Sequence, residues 1–303
     1  MICLLAGGTG GAKLARGIAD VAGPGELIVI ANTGDDVEVY GVHVSPDPDL
    51  ITYWLAGRID ERGWGIEGDT WQVMAALEAA GRPVWFRLGD ADLAMCLVRT
   101  EALRRGARLT DAHAEVVRVM GVEARVLPMS DDPVRTRVRT RAGWRDFQEF
   151  MIADRAAGPV EEVRFDGVPA ARPSPDAIEA IGAAEAIVIG PSNPVISIGP
   201  ILAVPGIREA LTAARAPVVA VSPFVGGRVV KGPTEAFMAS AGLPSGPAGA
   251  AAAYAGLLDG LVADERVPGF DRALLETGVL MDDDDSRGRV AAATLEFAAG
   301  LRA

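Results

Sequence analysis

The stretch ICLLAGGTGGAKLARGIADVAGPGELIVIA, residues 2–31, decides the fold. Its apolar start, Ile2–Ala6, runs into glycines, which is typical of a buried strand that ends in a tight turn. A helical pattern covers Ala12–Val21, and a second apolar run follows at Leu27–Ala31. A strand, a helix and another strand in so short a stretch form a right-handed βαβ unit, so we predict a parallel sheet.

The same alternation of apolar and amphipathic runs continues through most of the chain. We expect each apolar run to add a strand and each amphipathic run to cover a face of the sheet. The further predicted elements are a helix from Asp69 or Thr70 to Ala80, a third strand at Pro83–Arg87, helices over Asp90–Gly106 and Thr110–Gly121, a helix opened by Ser174 and Pro175, strands at Ala186–Ile189 and Val218–Val221, and a last helix over 286–301.

A segment in the middle of the chain has a different pattern. The run VRTRVRT, residues 134–140, alternates with period two, and a short turn leads into a second run over 144–152. This pattern predicts an antiparallel hairpin with one face in water. We therefore divide the chain into residues 1–124, a hairpin insertion or subdomain at 125–172, and residues 173–303 that complete the sheet. The predicted fold class is α/β: a Rossmann-like, mostly parallel sheet with helices on both faces and a small β-hairpin insertion.

Charge and composition exclude several classes of function. The chain has 303 residues, with 29 Lys and Arg against 41 Asp and Glu, and a net charge of −12. Such an acidic protein is a poor candidate for binding nucleic acid or an anionic membrane. No apolar run is long enough to span a bilayer, no stretch resembles a signal peptide, and the only cysteines are Cys3 and Cys96, so we expect a cytoplasmic protein without a disulfide framework. Because the only histidines are His43 and His113, a metal site built on several histidines is excluded.

A glycine-rich loop, Gly7-Gly8-Thr9-Gly10-Gly11-Ala12-Lys13, joins the first strand to the first helix. Glycines let the backbone approach a ligand closely, and the helix N-terminus offers unpaired N–H groups to a phosphate, to which Lys13 adds a positive charge. We therefore predict phosphate binding by Gly7, Gly8, Thr9, Gly10, Gly11 and Lys13. A P-loop would need Gly-Lys-Ser/Thr where Ala12-Lys13-Leu14 stands, and the dinucleotide fingerprint would need glycine in place of Lys13. The alternative is a tight turn without a ligand.

Four carboxylates follow the second strand: Asp35 and Asp36 end the motif NTGDD, and Asp47 and Asp49 belong to SPDPD. The carboxyl ends of parallel strands are where α/β folds place ligands. Clustered carboxylates repel one another unless a hard cation neutralises them, and Mg²⁺ prefers oxygen ligands together with substrate phosphates. We therefore predict a Mg²⁺ site at Asp35, Asp36, Asp47 or Asp49. The alternative is an acidic surface loop in which the Asp residues cap turns.

Four other residues are candidates for ligand contacts. Ser192 and Asn193 lie between prolines at the end of a predicted strand and are expected to contact a nucleotide, with a plain connecting loop as the alternative. Arg87 closes the predicted third strand, so we expect it at the same edge of the sheet, whereas Asp90 is interpreted as a helix cap. Trp64 lies between glycines and is the tryptophan best suited to be exposed and to stack on a planar ligand.

Taken in order, these motifs resemble a known family: the 2-phospho-L-lactate transferases and their phosphoenolpyruvate-transferring bacterial counterparts, which make the precursor of the deazaflavin coenzyme F420. The resemblance covers nearly the whole chain, and seven ordered motifs make it specific. The motifs are GGTGGAK at 7–13, NTGDD at 32–36, SPDPD at 45–49, WGI at 64–66, LGD at 88–90, LPMSDDP at 127–133 and GPSNP at 190–194. One departure is Pro48-Asp49-Leu50, where relatives often carry Leu-Asp-Thr.

The resemblance implies a Mg²⁺-dependent transfer. The donor would be a guanosine diphosphate ester of lactate or enolpyruvate, the acceptor the terminal ribityl hydroxyl of the deazaflavin Fo, and the leaving group GMP. By the same resemblance the glycine loop, Ser192 and Asn193 hold the guanosine diphosphate. The segment from Asp47 to Asp49 and Arg87 would then face the deazaflavin acceptor, with Asp49 and Arg87 in the acceptor site. From its exposure we expect Trp64 near the planar ring of the acceptor. We expect Asp49 and Arg87 to act in catalysis. Asp49 would bind metal, orient the ribityl hydroxyl or accept its proton, and the first two roles are favoured because a loose transition state demands little base strength. A homodimer is plausible for this family.

Two other interpretations remain open at this point. A related group of regulators binds sugar nucleotides without catalysis and shares a similar glycine loop, but it carries Asp-Asp-Gly-Gly-Ser-Ser after the second strand. This chain has DDVEV at 35–39 instead. A nicotinamide dehydrogenase is the weaker alternative, because the third fingerprint glycine is replaced by Lys13. The motifs do not distinguish a lactyl from an enolpyruvyl donor.

Overall fold

The computed structural model describes residues 1–230 and 232–302. The strands, in chain order, are β1 (Ile2–Ala6), β2 (Leu27–Ala31), β3 (Val37–Val39), β4 (Val42–Val44), β5 (Arg125–Pro128), β6 (Arg135–Thr140), β7 (Gly143–Asp146), β8 (Glu162–Asp166), β9 (Ala186–Ile189), β10 (Val218–Val221), β11 (Phe224–Val225), β12 (Arg228–Val229), β13 (Gly260–Ala263) and β14 (Ala273–Glu276). The α-helices are α1 (Gly8–Ala22), α2 (Pro46–Leu55), α3 (Gln72–Ala79), α4 (Asp90–Arg104), α5 (Leu109–Val119), α6 (Pro175–Ala183), α7 (Ile198–Ala203), α8 (Ile207–Ala213), α9 (Thr234–Ser240), α10 (Pro247–Ala253) and α11 (Asp284–Gly300). Within the described ranges, none of these helices combines the length and the apolar character needed to cross a bilayer.

The central sheet confirms the predicted fold class. Its strand order is β14-β13-β10-β9-β1-β2-β5, and every neighbouring pair is parallel. The order reverses between β1 and β9, because the chain first builds outward from β1 through β2 to β5 and later returns to β9 on the other side of β1. This reversal is the switch point of a doubly wound sheet, and the crevice beyond the carboxyl ends of the two strands is the usual ligand site.

Alternation along β1 divides its side chains between two cores. Cys3 and Leu5 belong to one core, together with helices α6, α7 and α8, while Leu4 and Ala6 belong to the other, together with α1, α2 and α11. Strands buried on both faces are expected to be continuously apolar, as Ile2–Ala6 is. The predicted layers, with helices on both faces of the sheet, are therefore confirmed.

The predicted third strand at Pro83–Arg87 is wrong. Residues 82–89 form no strand, and the neighbour of β2 on that side is β5. Phe86 is instead buried in a satellite cluster with the β3–β4 hairpin, where the Tyr40 hydroxyl donates a hydrogen bond to the Phe86 carbonyl at 2.8 Å. The apolar residues of this run are therefore covered by a hairpin and helix α4, and apolar content alone does not distinguish that surrounding from a sheet.

The predicted hairpin insertion is present as β6 and β7, with β8 as a third antiparallel strand in the order β7-β6-β8. The second strand of the hairpin covers only Gly143–Asp146, so it is shorter than the predicted run over 144–152. After β7 the chain makes a π-helical turn over Glu149–Ala153. Phe150 of this turn packs against Phe237 of α9 with the ring centroids 6.0 Å apart. The insertion therefore lies against the body of the protein. The division at residue 125 stays a prediction, although β5 itself lies in the central sheet.

Candidate active site

A cavity of about 340 Å³ opens at the switch point of the sheet. Its polar wall is made by Gly7–Gly10 after β1, by Asp35 and Asp47, and by the Pro191–Asn193 loop after β9. Its apolar wall comes from Phe147 and Met151 of the insertion, from Val229 and Val230, and from the Val279–Met281 segment. The structure therefore joins the glycine loop, two of the predicted acidic residues and the predicted Ser-Asn loop in one site.

The glycine loop is largely the first turn of α1, which begins at Gly8 and not at Ala12 as predicted. A Cβ built on Gly7 would lie 2.5 Å from Asp47 Oδ2, and one built on Gly11 would lie 2.7 Å from Ser192 Oγ. These glycines are therefore required by the close packing of three segments. The first N–H groups of a helix have no partner within it, so the start of α1 presents donors to the cavity, where an anion would fit.

Asp47 connects the acidic residues to the glycine loop. Its Oδ1 accepts a hydrogen bond from the Gly8 N–H at 2.7 Å, and its Oδ2 accepts one from Asn32 Nδ2 at 2.8 Å. Burial raises the pKa of Asp47 to about 6, although both hydrogen bonds act in the opposite direction. The carboxylate is therefore fixed in direction but costly to ionise.

Asp35 is the second acidic residue of the cavity. It is buried, and its Oδ1 has no hydrogen-bond partner within residues 1–230 and 232–302. Burial, together with the charge of Asp47, raises the pKa of Asp35 well above its usual range. Two neighbouring buried carboxyls, each with a raised pKa, are the chemistry that a divalent cation neutralises.

The other two predicted metal residues are held by other side chains. Asp49 is almost completely buried, and its two oxygens accept hydrogen bonds from Arg99 at 2.6 and 2.8 Å. Asp36 Oδ2 lies 2.9 Å from His43 Nε2, and His43 Nδ1 lies 2.7 Å from Glu38 Oε1. Burial lowers the pKa of His43, but the hydrogen bond and charge of Asp36 outweigh it and raise the pKa overall. Both residues therefore lie in buried pairs, although Asp36 Oδ1 has no hydrogen-bond partner among the described residues, and metal binding by Asp49 or Asp36 stays a prediction.

A second group of possible metal ligands lies among the described residues, at Asp49, Asp92 and Cys96, whose ligand atoms are within 4.8 Å of one another. Burial and the charge of Asp49 raise the pKa of Asp92 to about 7, and burial raises the pKa of the Cys96 thiol well above its usual range. Arg99 already neutralises Asp49. This group is therefore better explained as a polar layer in the core, completed by the Tyr53 hydroxyl, which donates to Asp92 at 2.7 Å.

Trp64 and Arg87 lie outside the sheet, so the prediction that Arg87 projects from a strand end is wrong. Arg87 is half-exposed, 3.7 Å from Glu78, and its guanidinium lies 5.5 Å from the Trp71 ring centroid. Trp64 is 46% exposed, with the Arg62 guanidinium 4.1 Å from its ring and 5.2 Å from that of Trp71. Trp64, Arg62, Trp71 and Arg87 therefore form a row of alternating rings and cations, which we call the tryptophan–arginine row.

The loop that carries Trp64 lies beside the glycine loop. A Cβ built on Gly63, the residue before Trp64, would lie 4.0 Å from Thr9 Cγ2 of the glycine loop. The Arg62 guanidinium is held by Asp60, which accepts from Arg62 Nε at 2.7 Å. The structure therefore brings Trp64 and Arg87 together through two residues that the sequence analysis missed, Arg62 and Trp71.

The remaining predicted phosphate-binding side chains reach the cavity but also fasten its walls. Lys13 Nζ donates to the Met281 carbonyl at 2.6 Å. Ser192 Oγ accepts from the Gly7 N–H at 3.3 Å, and Asn193 Oδ1 accepts from the Val195 N–H at 2.9 Å. These bonds explain a rigid loop, and phosphate binding by the same side chains stays a prediction.

Sequence reasoning also missed the contribution of the insertion. Phe147 and Met151 line the cavity, and Gln148 Nε2 donates to the Asp35 carbonyl at 3.3 Å. The π-helical turn that carries Met151 is an irregularity found often at functional sites. Nothing in the period-two pattern of the hairpin indicates this turn, because it forms only where the insertion meets the rest of the protein.

A doubly wound sheet with a polar cavity at its switch point defines the class: a Rossmann-like α/β protein with a ligand site beyond β1 and β9. Within that class the chain belongs to the family described as 2-phospho-L-lactate transferase CofD, whose model matches residues 2–287. It is therefore a transferase, which sets aside both the non-catalytic regulator and the dehydrogenase.

Individual relatives agree with this assignment. A phosphoenolpyruvate transferase of Streptomyces griseus is 40% identical over 316 residues, covering 100% of this chain and 99% of the relative. A 2-phospho-L-lactate transferase of Methanosarcina mazei is 41% identical over 264 residues, covering 87% of this chain and 86% of the relative. Among solved structures, a UPF0052 family member from Bacillus halodurans superposes with a TM-score of 0.66 at 18% identity over 97% of this chain and 98% of that one. That likeness shows the fold alone.

Proposed function

We propose that this transferase moves a phosphoenolpyruvyl or phospholactyl group from a guanosine diphosphate-linked donor to the ribityl hydroxyl of Fo and releases GMP, as a step in making coenzyme F420. The observation that carries the proposal is the contact between Asp47 and the Gly8 N–H at 2.7 Å. It places a buried carboxylate directly at the N-terminus of a helix, so anion-binding donors and a cation-binding acid share one cavity.

The polar and apolar walls of the cavity favour one orientation of the donor. Its two phosphates belong at the start of α1, beside Ser192, where N–H donors and the positive end of the helix dipole favour anions. The apolar wall, which includes Phe147, Met151 and Val230, suits the purine base and ribose. The three-carbon acid then lies at the mouth of the cavity.

Mg²⁺ fits the acidic side of this site. Asp35 and Asp47 would hold it, because both carboxyls are buried and Asp35 Oδ1 has no partner among the described residues. The ion would neutralise the charge that develops on the phosphate oxygens during transfer. Asp47 would remain tied to Gly8 and Asn32, so the carboxylate keeps its direction while phosphates bind.

The reaction that these residues support is a direct displacement. The ribityl oxygen forms a bond to the phosphorus that carries the three-carbon acid, the bond from that phosphorus to the GMP oxygen breaks, and the hydroxyl proton passes to water. Such a transfer needs positioning and charge neutralisation more than a strong base. The chain supplies positioning through the N-terminus of α1 and through the tryptophan–arginine row, whose exposed Trp64 suits the planar deazaflavin.

The enolpyruvyl donor is the one we favour. Relatives named phosphoenolpyruvate transferase align with 99% or more of this chain, whereas relatives named 2-phospho-L-lactate transferase align with 87% or 88% of it. The test is incubation of the purified protein with Fo, Mg²⁺ and each donor in turn, with the products identified by mass. Formation of the enolpyruvyl product and GMP is expected. Transfer of lactyl phosphate alone would reverse the donor preference, and no transfer from either donor would overturn the proposed function.

A further inference from the structure

A fully buried arginine lies behind the acidic side of the cavity. Arg99 of α4 has no exposed surface, and its guanidinium donates to Asp49 Oδ1 at 2.6 Å and to Asp49 Oδ2 at 2.8 Å. Its Nη2 also donates to the His43 carbonyl at 3.0 Å. A bidentate contact of this kind fixes the direction as well as the distance of the two groups.

The two groups that Arg99 binds, the His43 carbonyl and the Asp49 carboxylate, come before and after Asp47 along the chain. His43 belongs to β4, and Asp49 belongs to the first turn of α2. The chain between them carries Asp47 across to the glycine loop, where its carboxylate meets the Gly8 N–H. The Arg99 guanidinium therefore binds both ends of the segment 43–49, which carries Asp47 and which we call the 43–49 connection.

Stability alone is a weak explanation for this arrangement. Removing two charged groups from water costs free energy, and a buried ion pair is often no more stabilising than apolar side chains of similar volume. The backbone of a short connection can, however, shift by a fraction of an ångström when it is held only by apolar packing. Hydrogen bonds of defined direction restrict such shifts, and a segment that carries a metal-binding carboxylate needs that restriction to keep the carboxylate in place.

We propose that Arg99 is a positioning residue for Asp47, acting through the Asp49 carboxylate and the His43 carbonyl to hold the 43–49 connection against the glycine loop. The inference rests on the proposed function, because it takes Asp47 as a holder of the divalent ion. Arg99 does not touch the cavity-facing carboxylate itself, so its effect reaches the site through the backbone.

The test replaces the ion pair by apolar residues in the double variant Asp49→Leu, Arg99→Met. Such a replacement is expected to fold, because it leaves no unpaired buried charge. Mn²⁺ binding to the substrate-free protein is measured by calorimetry. We expect the Mn²⁺ dissociation constant to rise about 10- to 100-fold, the usual cost of losing a group that orients a metal ligand.

Three single variants make the result specific. Tyr53→Phe removes a hydroxyl from the same buried polar layer without touching the 43–49 connection, so it should bind Mn²⁺ as the unmodified chain does. Asp47→Asn should remove the bound ion, which identifies the signal as site-specific. Arg99→Lys keeps the positive charge but loses the planar guanidinium that contacts both Asp49 oxygens. This variant should fold and bind Mn²⁺ about tenfold more weakly.

Each outcome decides between the possibilities. If the folded double variant and Arg99→Lys bind Mn²⁺ as tightly as the unmodified chain, Arg99 has no positioning role while the proposed metal site stands. If the double variant does not fold, Arg99→Lys alone decides in the same way. If the unmodified chain shows no Mn²⁺ binding that Asp47→Asn removes, the proposed metal site is overturned and this inference with it.

Discussion

Gly10 lies so close to Pro191 that a Cβ at position 10 would overlap the Pro191 carbonyl oxygen. Gly10 belongs to the glycine loop, in the first turn of α1 directly after β1, and Pro191 belongs to the loop after β9. These two strands lie on either side of the switch point. The absence of a side chain at position 10 is therefore needed to bring the two loops together. A bulky substitution there would test folding rather than phosphate binding.

We expect Gly10→Ala to destabilise the protein by about 1–3 kcal/mol, the usual cost of forcing extra volume into a packed contact. Thermal unfolding followed by circular dichroism measures the effect. Gly25→Ala is the matched control, because a Cβ at Gly25 meets no atom of the described part of the chain within 4 Å. Equal melting temperatures for the two variants would show that the loops can separate without cost.

Divalent-ion binding should weaken as the pH falls. Burial raises the pKa of Asp47 to about 6, and burial with the charge of Asp47 raises that of Asp35 well above its usual range. A metal ion binds the charged carboxylate, so protons compete with the metal. Below about pH 6, the Mn²⁺ dissociation constant should therefore rise about tenfold per pH unit for every proton that the metal displaces. Calorimetric titrations across this range measure the slope. A dissociation constant that does not change with pH would contradict the assignment of these two acids.

Trp64→Ala should weaken binding of Fo. Stacking on an exposed aromatic ring is worth about 1 kcal/mol, so the Fo dissociation constant should rise roughly 3- to 10-fold. Quenching of the deazaflavin fluorescence gives the affinity. Trp144→Ala is the matched control, because Trp144 is also stacked under an arginine, Arg164 at 4.1 Å, but lies on the hairpin insertion. Equal loss in both variants would remove the tryptophan–arginine row from the acceptor site.

Asp92 should make the stability of the protein depend on pH. Burial, followed by the charge of Asp49, raises the pKa of Asp92 to about 7 in the folded chain, above its value in the unfolded chain. A carboxyl with a raised folded pKa favours folding fully below the unfolded value and loses that contribution as the pH rises through about 7. Relative to Asp92→Asn, the unmodified protein should therefore lose about 4 kcal/mol of unfolding free energy between about pH 4 and about pH 8. Urea unfolding of both proteins at each pH measures the difference, and parallel profiles would contradict the shift.

Much of the fold could be predicted because it depends on local pattern. The apolar runs at Ile2–Ala6, Leu27–Ala31, Ala186–Ile189 and Val218–Val221 are strands of the sheet at the predicted bounds. Each of these strands is buried on both faces, so its sequence is a continuous apolar run, which is typical of a strand in a parallel sheet. The run at Pro83–Arg87 has similar composition but is covered by a distant hairpin, and only that contact distinguishes it from a strand.

The candidate site was predictable in its chemistry and less so in its members. Gly7–Gly10, Asp35, Asp47, Ser192 and Asn193 line one cavity, as their motifs indicated. Asp49 has the same residue type and the same neighbourhood in sequence as Asp47, but α2 turns it toward Arg99, 50 residues further along the chain. Two side chains two residues apart on a helix point in different directions, so the partner of each depends on what packs against that helix.

The helix caps at Asp69 and Asp90 are a second case in which the sequence indicates the type of contact but not the partner. The sequence indicated that Asp90 and either Asp69 or Thr70 would cap helices, because short polar side chains accept hydrogen bonds from the free N–H groups of a first turn. Only the tertiary structure decided which helix each one caps. Asp90 accepts from Gln72 and Val73 of α3 at 3.0 Å, while Asp69 accepts from Ala91 and Asp92 of α4 at 2.8 and 3.0 Å. The two helix starts lie side by side, so each aspartate reaches the other helix. A residue's type sets which bonds it can make, and the fold sets which partners come within its reach.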